Sequence, residues 1–341
     1  MQRKYMAFGV TAAIALCALL PTSVRIHAQS DDLPSWADGP ARKAIVEFVR
    51  VTTDKSSPKF VPPEDRIATF DQDGTTWVSH PIYSQLLFAF DRVIALAPQH
   101  PEWKSMQPFG CVLSGDKAAM SKFTMKDLET ILMATHTGMT PEAFQAIVRN
   151  WMATAKHPRF NRPFAEMAYR PMLEVMRYLR DHGFKTYIVT GGGQDFVRAY
   201  AQQVYGIPSE QIIGSALDTQ YTYNKAGQGI LIKEPKVLLD NDHAGKPEDI
   251  YLFLGKRPIA AFGNSTGDRQ MLEYTQAGGG ARLMMLVLHD DAVREFAYGP
   301  AQGLPDTRIG TFPQSLYDEA KRRSWTVISM KNDWKRIFAF E

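Results

Sequence analysis

Two aspartates spaced two residues apart, Asp71 and Asp73, stand in the segment of this sequence whose residue types are best suited to chemistry. The apolar residues 66–70 before them predict a short buried strand. Gly74 permits a tight turn, in which both carboxylates can converge on one ligand. Such a pair can divide into a nucleophile and a general acid or base. The alternative is a polar turn that carries two solvated acids.

Two later segments could bind or neutralise an anion. Thr190 and Gly191 follow the predicted apolar strand 184–189. A hydroxyl and bare backbone amides at a strand-to-helix turn suit a bound anion, although a plain glycine-rich turn has the same pattern. Lys246 stands at the start of a predicted helix. It could supply a positive charge to the same ligand, and a solvated surface lysine is the alternative.

A fourth segment carries oxygen ligands. Asn264 and Asp268 follow the predicted strand 259–262 and lie four residues apart in a turn. Together with Asp71, their oxygens fit a hard six-coordinate cation such as Mg²⁺. A loop stabilised by an Asx turn is the alternative interpretation.

The elements that must position these residues alternate between strand and helix. Such alternation predicts an α/β fold with a parallel sheet covered on both faces. The four segments lie at or just past the carboxyl ends of predicted strands, the edge at which open α/β sheets bind ligands. Further strands are predicted at 210–239 and 284–288, and helices at 40–49, 82–96, 125–135, 140–155, 171–181, 194–205 and 248–254.

Taken together and in this order, the four segments resemble the motifs of the haloacid dehalogenase superfamily of phosphohydrolases. The sequence Phe-Asp-Gln-Asp-Gly-Thr at 70–75 carries most of the resemblance, and Phe-Gly-Asn-Ser-Thr-Gly-Asp at 262–268 adds to it. The resemblance implies a Rossmann-like core over residues 29–77 and 166–341. It also implies a cap inserted at 78–165, and this segment is mainly helical, as in the phosphoserine phosphatase-like branch.

The resemblance assigns catalytic roles to three residues. Asp71 would attack phosphorus and form an aspartyl-phosphate. Asp73 would protonate the leaving oxygen and then activate the water that hydrolyses the intermediate. Lys246 would neutralise charge between the nucleophile and the phosphate. The acid at position 73 also favours phosphate chemistry over C–Cl cleavage, because the dehalogenase branch lacks it.

The remaining motif positions would bind phosphate and metal. The predicted phosphate-binding residues are Thr190 and Gly191 together with Gly74 and Thr75. The resemblance implies a Mg²⁺ cofactor, and its predicted ligands are Asp71, Asp73, Asn264 and Asp268. Many relatives carry an aspartate where this chain has Asn264, so this metal site has one negative charge fewer.

The first 28 residues predict a secretory signal peptide. Arg3 and Lys4 form a short basic start, residues 7–20 are apolar, and Ala28 offers a small residue at a cleavage site. Cleavage would give a periplasmic or secreted protein without stable membrane anchoring. An uncleaved anchor is the alternative, although the apolar run is short for a bilayer span.

The composition excludes several classes of protein. With 45% hydrophobic and 22% charged residues, the chain is not collagen-like, disordered or disulfide-dense. The formal charge of +3 comes entirely from Arg3, Lys4 and Arg25 in the predicted signal. The rest of the chain is electrically neutral, so its charge predicts no nucleic-acid partner.

These observations together predict an exported, Mg²⁺-dependent phosphomonoester hydrolase that acts on a small phosphorylated metabolite. Two alternatives remain open at this stage. The first is a phosphotransferase of the same fold, in which an acceptor other than water takes the phosphoryl group. The second is a catalytically silent module that binds a phosphorylated ligand.

Overall fold

The computed structural model describes residues 32–341, so the predicted signal peptide, residues 1–28, lies outside the described residues. The strands are β1 (Ile67–Phe70), β2 (Lys185–Gly193), β3 (Ile212–Tyr223), β4 (Gly229–Leu239), β5 (Ala260–Gly263), β6 (Leu283–Leu288) and β7 (Thr326–Ser329). They form one sheet in the order β4-β3-β2-β1-β5-β6-β7. Every neighbouring pair is parallel except β3 and β4. The predicted α/β, Rossmann-like fold is confirmed.

Helices lie between most of these strands. They are α1 (Pro40–Thr53), α2 (Ser84–Leu96), α3 (Phe109–Ser114), α4 (Lys117–Met120), α5 (Met125–His136), α6 (Pro141–Thr154), α7 (Arg170–Asp181), α8 (Gln194–Arg198), α9 (Ala201–Tyr205), α10 (Gly245–Leu254), α11 (Arg269–Gln276), α12 (Gln314–Arg322) and α13 (Met330–Asp333). None of the helices in residues 32–341 combines the length and apolar character that a membrane crossing needs.

The central strands are apolar on both faces, as expected for a sheet covered by helices on both sides. Every residue of β1, β5 and β6 is buried. Phe70 is in register with Ile188 on one side and Phe262 on the other. The rings of Phe70 and Phe262 stack at 4.4 Å between centroids. This register aligns the carboxyl ends of β1 and β5, so the residues that follow them meet at one edge.

The antiparallel strand β4 extends the sheet beyond the predicted parallel arrangement. It returns from β3 as a hairpin at the edge of the sheet, where a parallel crossover is not needed. Lys233 on β4 also bonds through its backbone to the turn before α6. Its N–H donates to the Met139 carbonyl, and its carbonyl accepts from Gly138 N–H, both at 2.9 Å. The hairpin thereby anchors the inserted helices to the sheet.

Five helices, α2 to α6, lie between β1 and β2, within the segment predicted to be the cap. A capping box of Thr124 and Asp127 starts α5, and the Thr140 side chain caps α6. The helices α3 and α4 were not predicted, and neither were α11, α12 and α13 nearer the carboxyl end. The predicted helix 194–205 is broken into α8 and α9 at Tyr200. The boundaries between core and cap, at 77/78 and 165/166, stay a prediction.

Candidate active site

A buried lysine joins three of the predicted motif segments. Lys246 is 2% exposed, and its Nζ lies 2.6 Å from Asp71 Oδ1 and 2.7 Å from Asp268 Oδ1. The ammonium also donates to the Val189 carbonyl at 3.0 Å. All three of its N–H donors therefore have acceptors, which fixes its position. This arrangement brings the ends of β1, β2 and β5 together around one positive charge.

Lys246 can occupy this position because the chain turns tightly at the start of α10. A Cβ on Gly245 would lie 1.9 Å from the Asp240 carbonyl oxygen, so only glycine fits. Lys246 is the second residue of the helix. Its side chain therefore enters the sheet edge from a rigid backbone.

The two carboxylate oxygens of Asp268 have different partners. Its Oδ2 accepts from the backbone N–H groups of Asn264 at 2.8 Å and Ser265 at 3.0 Å, which closes the loop after β5. Its Oδ1 remains available to Lys246. A Cβ on Gly263 would lie 2.4 Å from the Asp268 Cβ, so the loop needs glycine there. The carboxylate is thus oriented by the loop that carries it.

The turn after β1 presses against Asn264. Gly74 has φ of +88°, and a Cβ there would lie 2.1 Å from Asn264 Nδ2. The Thr75 hydroxyl lies 3.2 Å from Asn264 Oδ1 and 3.4 Å from Asp71 Oδ2. Thr75 therefore links the turn to both side chains. A phosphate contact of Gly74 or Thr75 stays a prediction.

The two aspartates of the first motif, Asp71 and Asp73, both have a pKa above that of a free carboxyl group. Burial, followed by the charge of Asp268, raises the pKa of Asp71 to about 7 despite the nearby Lys246. Burial and the charge of Asp71 raise the pKa of Asp73 to about 8. The Asp73 Oδ1 is buried and has no hydrogen-bond partner. Asp73 is therefore suited to carry a proton at neutral pH.

The predicted anion loop, residues 190–193, forms the last four residues of β2, which runs further than the predicted strand 184–189. The Thr190 hydroxyl accepts from Gly192 N–H at 3.0 Å, and Gly191 is exposed. Gly193 N–H donates to Gln85 Oε1 at 2.8 Å. Gln85 lies in the first turn of α2, so an inserted helix bonds directly to this loop. Gly191 is the one exposed residue among 190–193.

The oxygen atoms around Asp71 fit a magnesium ion in chemical type. Within residues 32–341, no three Asp, Glu, His or Cys side chains form a ready metal cluster. Mg²⁺ commonly binds through one or two carboxylates and completes its shell with water and substrate phosphate, so such a cluster is not required. Asp71 and Asp268 contact the single ammonium of Lys246, and Asp73 is close enough for the charges of Asp71 and Lys246 to act on it. When all three carboxylates are ionised they leave an excess of negative charge that a divalent cation would balance.

Comparison with known families agrees with this geometry. A profile of the family described as haloacid dehalogenase-like hydrolase matches residues 68–273, well over half of the chain. The chain belongs to this family. The match spans Asp71, Thr190, Lys246, Asn264 and Asp268, and it confirms the predicted family and the prediction that the chain is an enzyme. The individual roles of these residues stay predictions. A comparison with curated proteins gives no significant match.

Several solved structures are similar to this haloacid dehalogenase-like hydrolase at low identity. A conserved protein of unknown function from Anaerococcus prevotii has 15% identity and a TM-score of 0.48, over 73% of this chain and 85% of that one. A Bordetella pertussis protein of unknown function has 14% identity and a TM-score of 0.46, over 77% and 97%. A phosphoserine phosphohydrolase-like protein from Francisella tularensis has 16% identity and a TM-score of 0.35, over 66% and 88%. Likenesses of this size carry no argument about substrate.

The haloacid dehalogenase-like site also contains residues that sequence reasoning missed. Burial and the charges of Asp73, Asp71 and Asp242 raise the pKa of Tyr83 above its ordinary value, so the phenol lies among these acids. Asp242 Oδ1 lies 2.5 Å from the point that a Cβ on Gly267 would occupy. Tyr83 precedes α2 and Asp242 precedes α10. Neither belongs to a recognisable motif, so only the tertiary structure identifies them.

A network of buried polar side chains contacts the backbone of the turn that follows β1. His289 Nε2 lies 2.7 Å from the Gly74 carbonyl and 2.9 Å from the Tyr298 hydroxyl. His289 Nδ1 lies 3.1 Å from Glu295 Oε2, and both side chains are at most 2% exposed. His289 directly follows β6. The rule that sites lie at carboxyl ends of strands could have identified it from the sequence.

Proposed function

We propose that this haloacid dehalogenase-like hydrolase is an exported, Mg²⁺-dependent phosphomonoesterase that acts through an aspartyl-phosphate at Asp71. The observation that carries the proposal is the buried cluster of Asp71, Lys246 and Asp268, with Asp73 beside it. In this cluster a potential nucleophile, a fixed positive charge and a proton donor share one edge of the sheet.

Asp71 is suited to attack because its two oxygens have different surroundings. Lys246 holds Oδ1 at 2.6 Å, whereas the nearest side-chain partner of Oδ2 is the Thr75 hydroxyl at 3.4 Å. The freer oxygen, Oδ2, would form a bond to phosphorus while the bond from phosphorus to the ester oxygen breaks. The fixed ammonium prevents the carboxylate from rotating away from the substrate.

Asp73 would move the proton in both halves of the reaction. With a pKa raised to about 8, its carboxyl holds a proton at neutral pH and can give it to the leaving ester oxygen. The resulting carboxylate then takes a proton from water as the water oxygen attacks phosphorus. This second attack releases inorganic phosphate and restores the Asp71 carboxylate. The unpartnered Asp73 Oδ1 leaves one oxygen free for these transfers.

The phosphoryl group spreads negative charge over three oxygens, and fixed positive groups must stabilise it. Lys246 supplies one full charge without needing to move. The Thr190 hydroxyl and the Gly191 amide would hold phosphoryl oxygens at the end of β2. Mg²⁺, held by oxygens of Asp71, Asp73, Asn264 and Asp268, would supply the remaining positive charge.

The inserted helices would select a small phosphorylated substrate and keep out water. Tyr83 lies among the acids of the site, and Gln85 bonds to Gly193 of the anion loop. A substrate that reaches Asp71 would therefore meet side chains from this segment. The predicted signal peptide, residues 1–28, supports export to the periplasm or beyond.

The deciding experiment is a turnover assay on the chain without residues 1–28. With p-nitrophenyl phosphate, we expect release of inorganic phosphate in Mg²⁺ and strong loss of activity in EDTA. Transfer of phosphate to an added alcohol would instead support the phosphotransferase. Binding of a phosphonate analogue without any turnover would support the silent module. Activity unaffected by EDTA would overturn the Mg²⁺ dependence.

A further inference from the structure

A second polar pocket lies at the opposite edge of the same sheet. Its volume is about 370 Å³, and it is lined by the segment 58–62, by Ile259 just before β5, and by Gly279 and Gly280 with the nearby Arg282. These segments precede β1, β5 and β6, whereas the active site follows them. Strand β1 is four residues long, which separates the two edges by about 13 Å.

Two arginines that line this pocket, Arg257 and Arg282, both pack against Gly278. A Cβ on Gly278 would lie 2.4 Å from Arg282 Nη2 and 2.9 Å from Arg257 Cδ. The absence of a side chain at Gly278 therefore makes room for both. Arg257 is fixed by Tyr274, because its guanidinium carbon lies 3.8 Å from the ring centroid and its Nη1 donates to the Tyr274 carbonyl. The two guanidinium groups are thus built into position rather than spread over the surface.

The positive charge of these arginines is not balanced within the pocket. Asp65 is the one carboxylate among the described residues that line it, and it pairs with Lys256 at 2.7 Å. Arg282 Nε is buried without a hydrogen-bond partner. Burial and the neighbouring charge of Arg257 lower the pKa of Arg282. Two like charges held together without a counterion are relieved by a bound anion.

The other wall of the pocket is apolar. The apolar residues Pro58, Phe60, Val61 and Ile259 line the pocket together with the arginines. A volume of about 370 Å³ is within the range of small-molecule sites. Guanidinium groups match the geometry of phosphate oxygens, and two of them balance the roughly −2 charge of a phosphoryl group.

We propose that this pocket binds a small phosphorylated organic molecule, with its phosphoryl group on Arg257 and Arg282 and its organic part against the apolar wall formed by residues 58–62. The site is distinct from the one assigned to catalysis and does not depend on the proposed function. Its ligand would approach the amino ends of the strands, on the side of the sheet away from Asp71.

The test is calorimetric titration of the chain without residues 1–28 with phenylphosphonate, in EDTA and at mildly alkaline pH. Phenylphosphonate carries a ring and a dianion that cannot be hydrolysed. Without a divalent cation the active site has excess negative charge and repels dianions, so the titration reports the arginine pocket. Benzoate, with the same ring and a single charge, is the matched ligand. We expect one binding site for phenylphosphonate and weaker binding of benzoate.

Two variants and one control assign the binding to the pocket. Arg282→Gln should weaken binding about tenfold or more, since it removes a charge-assisted contact. Gly278→Ala should also weaken it, because the added Cβ displaces both guanidinium groups while the charge stays the same. Arg149→Gln removes the same charge from an exposed position on α6 and should leave the affinity within about twofold, since an exposed charge acts only through screened solvent.

The proposal is overturned if phenylphosphonate does not bind, if Arg149→Gln weakens binding as much as Arg282→Gln, or if neither pocket variant changes it. Circular dichroism and melting temperature check that each variant is folded. If Arg282→Gln does not fold, Gly278→Ala alone decides the question. Failure here leaves the proposed phosphatase activity untouched, because no turnover is measured.

Discussion

The two edges of the sheet treat charge in opposite ways. At the carboxyl edge, one ammonium is enclosed by two carboxylates, and Lys246 is 2% exposed. At the amino edge, Arg257 and Arg282 share a pocket whose lining carboxylate is already paired with Lys256. The first edge has surplus negative charge and the second has surplus positive charge. The residual sign at each edge agrees with the two proposals: Mg²⁺ with a phosphate at the carboxyl edge, and a phosphorylated anion at the amino edge.

The two edges also differ in how deeply their ion pairs are buried. A buried ion must be paired, because its removal from water is costly. Loss of Lys246 would therefore leave Asp71 and Asp268 buried without their counterion. An ion pair at the open edge remains solvated and contributes little to stability. Substitutions at the two edges should separate these effects.

The largest expected effect is on catalysis at the carboxyl edge. Asp71→Asn removes the attacking oxygen, and turnover of p-nitrophenyl phosphate should fall by about 10³-fold or more. The fold should survive, because the substitution takes one carboxylate from a cluster that has an excess of them. Steady-state kinetics and urea unfolding measure the two outcomes. An Asp71→Asn variant that keeps its turnover would remove Asp71 as the nucleophile.

The second effect compares the stability of the two edges. Lys246→Met leaves Asp71 and Asp268 buried without their counterion and should cost about 3–5 kcal/mol in the free energy of unfolding in EDTA. The matched control is Lys256→Met, whose pair with Asp65 is about half exposed on both sides. That control should cost about 0–1 kcal/mol. Equal losses in the two variants would contradict the distinction between a buried and a solvated pair.

The third effect concerns acid sensitivity near the carboxyl edge. Burial, followed by the charge of Lys233, lowers the pKa of His136 from 6.5 to about 3. The unfolded chain therefore takes up a proton at a higher pH than the folded chain. The lowered pKa of His136 therefore corresponds to a stabilisation of the folded state that is complete above pH 6.5. This stabilisation is lost as the pH falls from 6.5 toward 3.

This loss is expected to reach ~2 kcal/mol by about pH 5. Urea unfolding of the wild type and of His136→Gln across this range measures the difference between the two slopes. The variant should be less sensitive to acid, since its side chain does not titrate. Parallel curves for the two proteins would show that His136 has the same pKa in the folded and unfolded states.

The smallest effect concerns the contact between the inserted helices and the anion loop. Gln85→Ala removes the hydrogen bond to Gly193 N–H, and kcat/KM should fall by about 3–10-fold, equivalent to one hydrogen bond. Gln203→Ala, at an exposed position on α9, is the matched control. A change in kcat/KM as large in Gln203→Ala would indicate a general loss of stability rather than a lost contact.

Local patterns made much of the fold and of the candidate site predictable. The capping box at Thr124 and the proline-started helix after Thr140 depend on neighbouring residues alone, and both are present. The motif around Asp71 and the segment ending at Asp268 could be recognised because their spacing is local. The break at Tyr200 and the unpredicted helices α3, α4, α11, α12 and α13 are weaker signals, because short helices show little periodicity.

The rest depends on contacts between distant segments. Tyr83 and Asp242 lie 159 positions apart, and no local pattern associates either with Asp71. The same holds for Arg257 and Arg282, which meet over Gly278 only after β5 and β6 have paired. Their burial and their partners set the charge state of each pocket. Neither property is encoded in residue type.

The amino-acid sequence by itself determined the alternation of strands and helices and the identity of the acids and the lysine that could do chemistry, since both follow from local periodicity and side-chain type. The tertiary structure alone decided that Lys246 lies between Asp71 and Asp268, that the Oδ1 atom of Asp73 is buried without a partner, and that the opposite edge keeps unbalanced arginines. The physical reason is that pairing and desolvation depend on which distant side chains share a volume.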